Sequence, residues 1–140
     1  MASTQCGGKS AVMSAVYDKN VHTVASYASL NVSLPLGSCA ADERTELNPI
    51  DMMAMGLASC ILILMGKAAV AEKVDIVGAK ADVSYTLEDY RIVSFDVDVF
   101  PPRKLDEQVR PKLEGACRTC PVYLAIHPDV KLNVRFNWPE

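Results

Sequence analysis

Two cysteines, Cys60 and Cys120, occupy positions at which a thiol could act as a nucleophile or form a redox disulfide. Cys60 lies within a long apolar segment of helical character, and Cys120 precedes Pro121-Val122 after a second helix-like segment. The thiolate is the reactive form of cysteine, so a reactive thiol needs a neighbouring group that lowers its pKa. If the fold brings the two sulfurs together, the sequence predicts a thiol enzyme. If it does not, both residues are small buried hydrophobes.

Cys117 and Cys120 form a C-x-x-C pair, which permits two other interpretations. A zinc site would need a second pair of ligands, but the two histidines of the chain, His22 and His127, are far apart in sequence. A thioredoxin-like pair would begin a helix after a strand, whereas this motif ends a predicted helix. We therefore predict no metal site and regard Cys117 as a possible auxiliary thiol beside Cys120.

Composition predicts a single globular domain over residues 1–140. Half of the residues are apolar, 22% are charged, and the net charge is -3. The chain has no basic patch and only one Trp and three Phe, which argues against nucleic-acid binding.

Location is predicted from the cysteines and the apolar segments. Five cysteines without a recognisable export signal argue against a disulfide framework. The most apolar run, 52–65, is shorter than the roughly 20 residues of a membrane span. We therefore expect a soluble, cytoplasmic protein with no membrane partner.

Hydrophobic periodicity predicts an α+β domain built around one buried helix. Asn48 is a favourable N-cap, and Pro49 suits the first position of a helix that extends to Ala71. Since nearly every position over 52–71 is apolar or small, this helix should be buried on most sides. The other predicted elements are strands over 12–17, 22–32, 76–85, 91–100 and 131–136, a polar loop from residue 35, and helices over 106–117 and 122–126.

The residues around the two cysteines resemble the motifs of the OsmC/Ohr family of organic hydroperoxide reductases. Asn48-Pro49 precedes Ala58-Ser59-Cys60 on the apolar helix, and Ala116-x-x-x-Cys120-Pro121-Val122 follows at the second motif. The order of elements is similar as well, so the resemblance covers nearly the whole chain. It implies an intertwined, swapped homodimer of β(3)-α-β(2)-α(2)-β topology, with a long buried central helix and active sites at the dimer interface.

The resemblance also implies a reaction. Cys60 would attack the terminal oxygen of an organic hydroperoxide and become a sulfenic acid, and Cys120 would condense with it to a disulfide. An external dithiol would reduce that disulfide, and no metal, haem or flavin cofactor is implied. Apolar residues would favour organic peroxides over hydrogen peroxide, and the candidates for substrate binding are Met52, Met53, Met55 and Leu57.

One position departs from the family pattern. The residue after Asn-Pro is usually a glutamate that helps to organise an arginine over the thiolate, but here it is Ile50. Arg44 is the candidate arginine, and Glu46 and Asp51 are candidate orienting carboxylates. Because of this departure, a second function stays open: a catalytically weak or inactive dimer of this fold that binds an apolar or thiol-bearing small molecule.

Overall fold

The structure is a computed structural model that describes residues 13–27, 30–38 and 46–140. The chain divides into two compact units, Met1–Met52 and Met53–Glu140, and one long helix contributes to both. Arg44, the candidate arginine, lies outside the described residues.

Three antiparallel strands form the sheet of the first unit. They are β1 (Ser14–Tyr17), β2 (Thr23–Tyr27) and β3 (Val32–Leu36), in the order β1-β2-β3. The strand that the sequence predicts over 22–32 is divided into β2 and the start of β3, and the loop predicted from residue 35 begins only after Leu36. Asn31 turns the chain back at φ 55, a conformation that asparagine tolerates. Pro35 fits into β3 because β3 lies at the edge of the described sheet, where a missing N–H is acceptable.

The central helix, α1, spans Pro49–Ala71 and begins with a reciprocal capping box. The Asn48 side-chain oxygen accepts the backbone N–H of Asp51 at 2.8 Å, and the Asp51 carboxylate accepts the backbone N–H of Asn48 at 3.0 Å. Two of the unpaired donors at the start of the helix are satisfied in this way. One stripe of α1 is fully or nearly buried: Ala54, Leu57, Ala58, Ile61, Met65 and Ala69.

The second unit is built on a mixed three-stranded sheet. Its strands are β4 (Lys80–Glu88), β5 (Arg91–Phe100) and β6 (Lys131–Phe136). β5 is central, antiparallel to β4 and parallel to β6. Parallel neighbours need a crossover connection, and here it contains α2 (Arg110–Cys117) and α3 (Pro121–Ala125). The topology therefore places the C-x-x-C segment between two helices of the crossover.

The core of the second unit lies between the buried stripe of α1 and the inner face of β5. Phe95, Val97 and Val99 alternate along β5 and are at most 1% exposed. They join the α1 stripe, Leu113 and Cys117 in one hydrophobic cluster. α1 is long and apolar enough to cross a membrane, but the core helices of soluble proteins can have the same length and composition. Its packing in this cluster identifies it as the core helix.

Several element boundaries in the second unit differ from the sequence prediction, most of all the starts of β4 and α2. β4 begins at Lys80 because residues 76–79 form a turn, with Gly78 at φ 95 and the Ala79 N–H bonded to the Ile76 carbonyl. α2 begins at Arg110 because Pro111 suits a first helical turn. The predicted strands over 91–100 and 131–136 are confirmed.

Candidate functional site

The structure brings the thiols of Cys60 and Cys120 into hydrogen-bond contact. Cys60 lies on α1, about three turns from its N-terminus, and is partly exposed. Cys120 lies at the start of α3 and is fully buried. Two sulfurs that are distant in sequence are thus neighbours in the second unit, as a thiol enzyme requires.

Cys120 is positioned by its role as the N-cap of α3. Its backbone is extended (φ -61, ψ 129), and its sulfur accepts the backbone N–H of Tyr123 at 3.3 Å. Pro121 follows in the first helical turn, where its missing N–H costs no hydrogen bond. The Cys-Pro dipeptide therefore fixes the thiol at a helix terminus through local backbone geometry.

Burial raises the pKa of the Cys120 thiol, and its hydrogen bond to Cys60 raises that pKa further. The Tyr123 N–H opposes this effect because it favours the thiolate. A hydrogen bond that raises the pKa of Cys120 favours its protonated form, in which the Cys120 S–H donates to the sulfur of Cys60. Cys120 therefore keeps its proton at neutral pH.

Cys117 has a different environment from its C-x-x-C partner. It is 1% exposed, and its thiol donates to the Leu113 carbonyl one turn earlier, at 3.3 Å. Burial raises the pKa of the Cys117 thiol to about 12. Cys117 is therefore a protonated core residue at neutral pH, and the C-x-x-C segment does not present two equivalent thiols.

The helix that carries Cys117 is held by the C-terminal segment of the chain. The indole N–H of Trp138 donates to the Glu114 carboxylate at 2.7 Å. The Arg110 guanidinium stacks over the Trp138 ring at 5.4 Å and donates to the Leu105 carbonyl at 2.9 Å. Sequence analysis missed this cluster, because nothing in the sequence links Trp138 to a helix 24 positions earlier.

The four residues predicted to bind substrate differ in exposure. Met53 and Met55 are 47% and 46% exposed, and Met52 is partly buried. Leu57 is fully buried and belongs to the hydrophobic core. Of the four, the exposed methionines are therefore free to contact another molecule.

The two predicted orienting carboxylates lie in the first unit. The Glu46 carboxylate pairs with the His22 ring, with 2.6 Å between Oε2 and Nε2. Gly37 leaves room for this carboxylate, because a Cβ added at Gly37 would lie only 2.7 Å from the Glu46 oxygen. The pKa of His22 is raised chiefly by its hydrogen bond to the Asn20 carbonyl, which lies 2.8 Å from Nδ1. The carboxylate of Glu46 also raises this pKa. The carboxylate of Asp51 takes part in the capping box of α1. Sequence analysis missed the pairing of His22.

Metal ligands are not grouped in the part of the chain that the structure describes. Within residues 13–27, 30–38 and 46–140, no three His, Cys, Asp or Glu side chains are arranged to hold a metal ion.

Comparison with known proteins shows which family shares these features. The family model described as OsmC-like protein matches residues 41–135. A search of the curated proteins gave no match.

Solved structures share the fold over nearly their whole length. One of them is an osmotic stress induced and detoxification response protein from Psychrobacter arcticus 273-4. It superposes with a TM-score of 0.82 at 24% identity, and the match covers 89% of this chain and 94% of the Psychrobacter chain. An OsmC-like protein from Mycoplasma pneumoniae gives 0.77 at 16% identity, with coverages of 95% and 99%. The organic hydroperoxide resistance protein OhrB of Bacillus subtilis gives 0.67 at 17% identity, with coverages of 90% and 98%. At these identities the structures establish a shared fold alone.

Proposed function

The chain belongs to the OsmC-like protein family, and from this premise we propose that it is a thiol-dependent peroxidase that reduces organic hydroperoxides to alcohols. The observation that carries the proposal is the contact between the partly exposed Cys60 and the buried, proton-bearing Cys120. One structural relative, OhrB, is named for organic hydroperoxide resistance.

In the first step, the thiolate of Cys60 donates an electron pair to the terminal oxygen of the peroxide. An S–O bond forms, the O–O bond breaks, and the departing alkoxide takes a proton from solvent water and leaves as the alcohol. The sulfur is oxidised by two electrons and the peroxide is reduced by two.

In the second step, Cys120 resolves the sulfenic acid. The thiol of Cys120 loses its proton and attacks the Cys60 sulfur, which forms a disulfide and releases water. An external dithiol then reduces this disulfide by thiol–disulfide exchange and becomes oxidised itself, which regenerates both thiols. The reducing cytoplasm would supply such a dithiol, and the proposed cycle needs no cofactor.

The working form that we propose is a homodimer. On α1, the face opposite the buried stripe carries Ile63 and Val70, which are 56% and 79% exposed. In the first unit, Val16 and Tyr17 are 65% and 68% exposed. A soluble protein does not normally expose so many apolar side chains. From the OsmC resemblance, we propose that a second copy of the chain covers them.

The surroundings of the reactive sulfur complete the proposal. The exposed Met53 and Met55 would contact the organic group of the peroxide, because methionine adapts to irregular apolar surfaces. The proposed activating cation is Arg44, oriented by Glu46 or Asp51, and only the resemblance supports this assignment.

The test is peroxide consumption with a dithiol reductant and cumene hydroperoxide as substrate. We expect Cys60→Ser to abolish turnover and Cys120→Ser to prevent repeated turnover, because the sulfenic acid is no longer resolved. Cys117→Ser is the matched control and should retain most of the activity. Equal rates in the wild type and in Cys60→Ser would refute the proposal.

The second candidate function is a dimer that binds an apolar or thiol-bearing small molecule without turnover. The observation that favours it is Ile50, which stands where the family usually has glutamate. A protein of this kind would form no disulfide after mild peroxide treatment and would consume no peroxide.

A further inference from the structure

The C-terminal segment connects the sheet of the second unit to α2. The backbone N–H of Asn137 donates to the Val99 carbonyl at 2.8 Å, which fixes this segment to the end of β5. The next residue, Trp138, packs against the hydrophobic core and donates its indole N–H to the Glu114 carboxylate at 2.7 Å. Its ring also lies 5.4 Å from the Arg110 guanidinium. One side chain that the sheet anchors thus holds two residues on the same face of α2.

α2 depends on tertiary contacts because it is short and weakly capped. It has eight residues, fewer than the roughly 12–15 that an isolated helix needs for even marginal stability. Its N-cap residue is Val109, whose side chain cannot accept a hydrogen bond. Lys112 pairs with Glu72 just after α1, at 3.0 Å, but both side chains reach solvent, where such a pair stabilises little. The contacts of α2 with the core and with Trp138 therefore set its position.

α2 in turn carries Cys120. Just after the helix, the backbone N–H and the hydroxyl of Thr119 both donate to the Ala116 carbonyl, at 3.1 and 2.7 Å. These bonds leave little freedom between α2 and the next residue, Cys120, whose thiol contacts that of Cys60. A displacement of α2 therefore moves the Cys120 sulfur relative to the Cys60 sulfur on α1.

We propose that Trp138 is a positioning residue that holds Cys120 against Cys60 through its bond to Glu114. A disulfide forms only in a narrow geometry, with an S–S bond of about 2.05 Å and Cβ atoms roughly 3.5–4.5 Å apart. Closure of the disulfide is therefore sensitive to small displacements of either cysteine. The inference rests on the proposed function for its role in turnover, but disulfide closure can be measured without peroxide.

The measurement is the equilibrium constant of the Cys60–Cys120 disulfide in glutathione redox buffers, with the disulfide quantified by peptide mass spectrometry after acid quenching and alkylation. One oxidised glutathione takes two electrons and two protons from the thiol pair and becomes two reduced glutathiones. A contact that merely stabilises the fold stabilises the reduced and the oxidised protein equally, so its loss leaves this constant unchanged.

The variants separate the hydrogen bond from the ring. Trp138→Phe keeps an aromatic ring and removes the N–H donor, and it should lower the constant about tenfold. Glu114→Ala should lower it similarly, whereas Glu114→Gln keeps an acceptor oxygen and should stay near the wild-type value. Val83→Ala is the matched control, because it shortens a side chain packed against the core on β4, on the side of β5 opposite β6. It should lower the free energy of unfolding and leave the constant unchanged.

Circular dichroism checks that each variant is folded. An unchanged constant in Trp138→Phe and Glu114→Ala, or an equal fall in Val83→Ala, would overturn the inference. A wild type that forms no Cys60–Cys120 disulfide in these buffers would overturn it too. The predicted changes in a protein that consumes no peroxide would support the positioning role and refute the peroxidase proposal instead.

Discussion

The cysteines Cys60, Cys117 and Cys120 have different properties because their surroundings differ. Cys60 is partly exposed and accepts a hydrogen bond, Cys120 is buried and caps a helix, and Cys117 is sealed in the core. Burial raises the pKa of both Cys117 and Cys120, because the thiolate is poorly solvated in an apolar environment. The site therefore combines one accessible sulfur with one protonated partner.

The buried thiol of Cys117 should make stability depend on pH. Its pKa is raised from 9.0 to about 12 on folding, so between these values only the folded state keeps the proton. The free energy of unfolding should therefore fall as pH rises above about 9, by about 1.4 kcal/mol per pH unit from this group. Below about pH 9 the stabilisation that the protonated Cys117 thiol contributes is fully present.

Urea unfolding of the wild type and Cys117→Ala over pH 7–11 measures this effect. Tyrosines and lysines titrate in both proteins, so the difference between the two unfolding free energies isolates Cys117. We expect that difference to be constant up to about pH 9 and to shrink above it. A difference that stays constant up to pH 11 would mean that Cys117 is not a buried, protonated thiol.

Among the elements, α1 connects the sequence to the site most directly. The capping box of Asn48 and Asp51 sets the start of the helix. The burial of its apolar stripe turns Leu57 into the core and leaves Cys60 partly exposed. The commonest capping box ends in glutamate or glutamine, and here the shorter Asp51 takes that place.

The cap should contribute measurably to stability. Asp51→Ala should lower the free energy of unfolding by about 1 kcal/mol, because the backbone N–H of Asn48 loses its acceptor. Asp82→Ala is the control, since that carboxylate is exposed on β4 and its ion pair with Lys80 lies at the surface. It should change stability by less than about 0.5 kcal/mol. Equal losses in urea unfolding of the two variants would contradict the capping role.

The central helix and most strands could be predicted from the sequence, because they depend on local periodicity. The two cysteine motifs could be recognised because each consists of residues close in sequence. It could not predict β3, since one positive φ at Asn31 divides a continuous strand pattern. The pairs His22–Glu46 and Trp138–Glu114 were also missed, because such contacts depend on the tertiary fold. The contact of Cys60 with Cys120 was predicted only through the family resemblance.

At the scale of the whole molecule, the exposed apolar face of α1 is the main unexplained feature of a single chain. A charge placed on this face would be buried in the proposed dimer without a partner, which is costly. The same charge on an apolar residue in a surface turn would remain in water.

The assembly can be tested by sedimentation equilibrium. We expect the wild type at twice the chain mass of 15.2 kDa and Ile63→Glu at a single chain mass. Val77→Glu is the matched control, because Val77 is 80% exposed in the turn before β4 and should remain on the surface. A wild-type monomer, or an unchanged dimer in Ile63→Glu, would contradict the proposed interface.

The most direct test of the central claim is the identity of the disulfide formed by peroxide. The reduced wild type is treated with one equivalent of cumene hydroperoxide, alkylated, digested without reduction and analysed by mass spectrometry. The account predicts a peptide pair joined through Cys60 and Cys120, with Cys117 recovered as the alkylated thiol after unfolding. A disulfide between Cys117 and Cys120, or two free thiols at Cys60 and Cys120 after the peroxide is consumed, would contradict it.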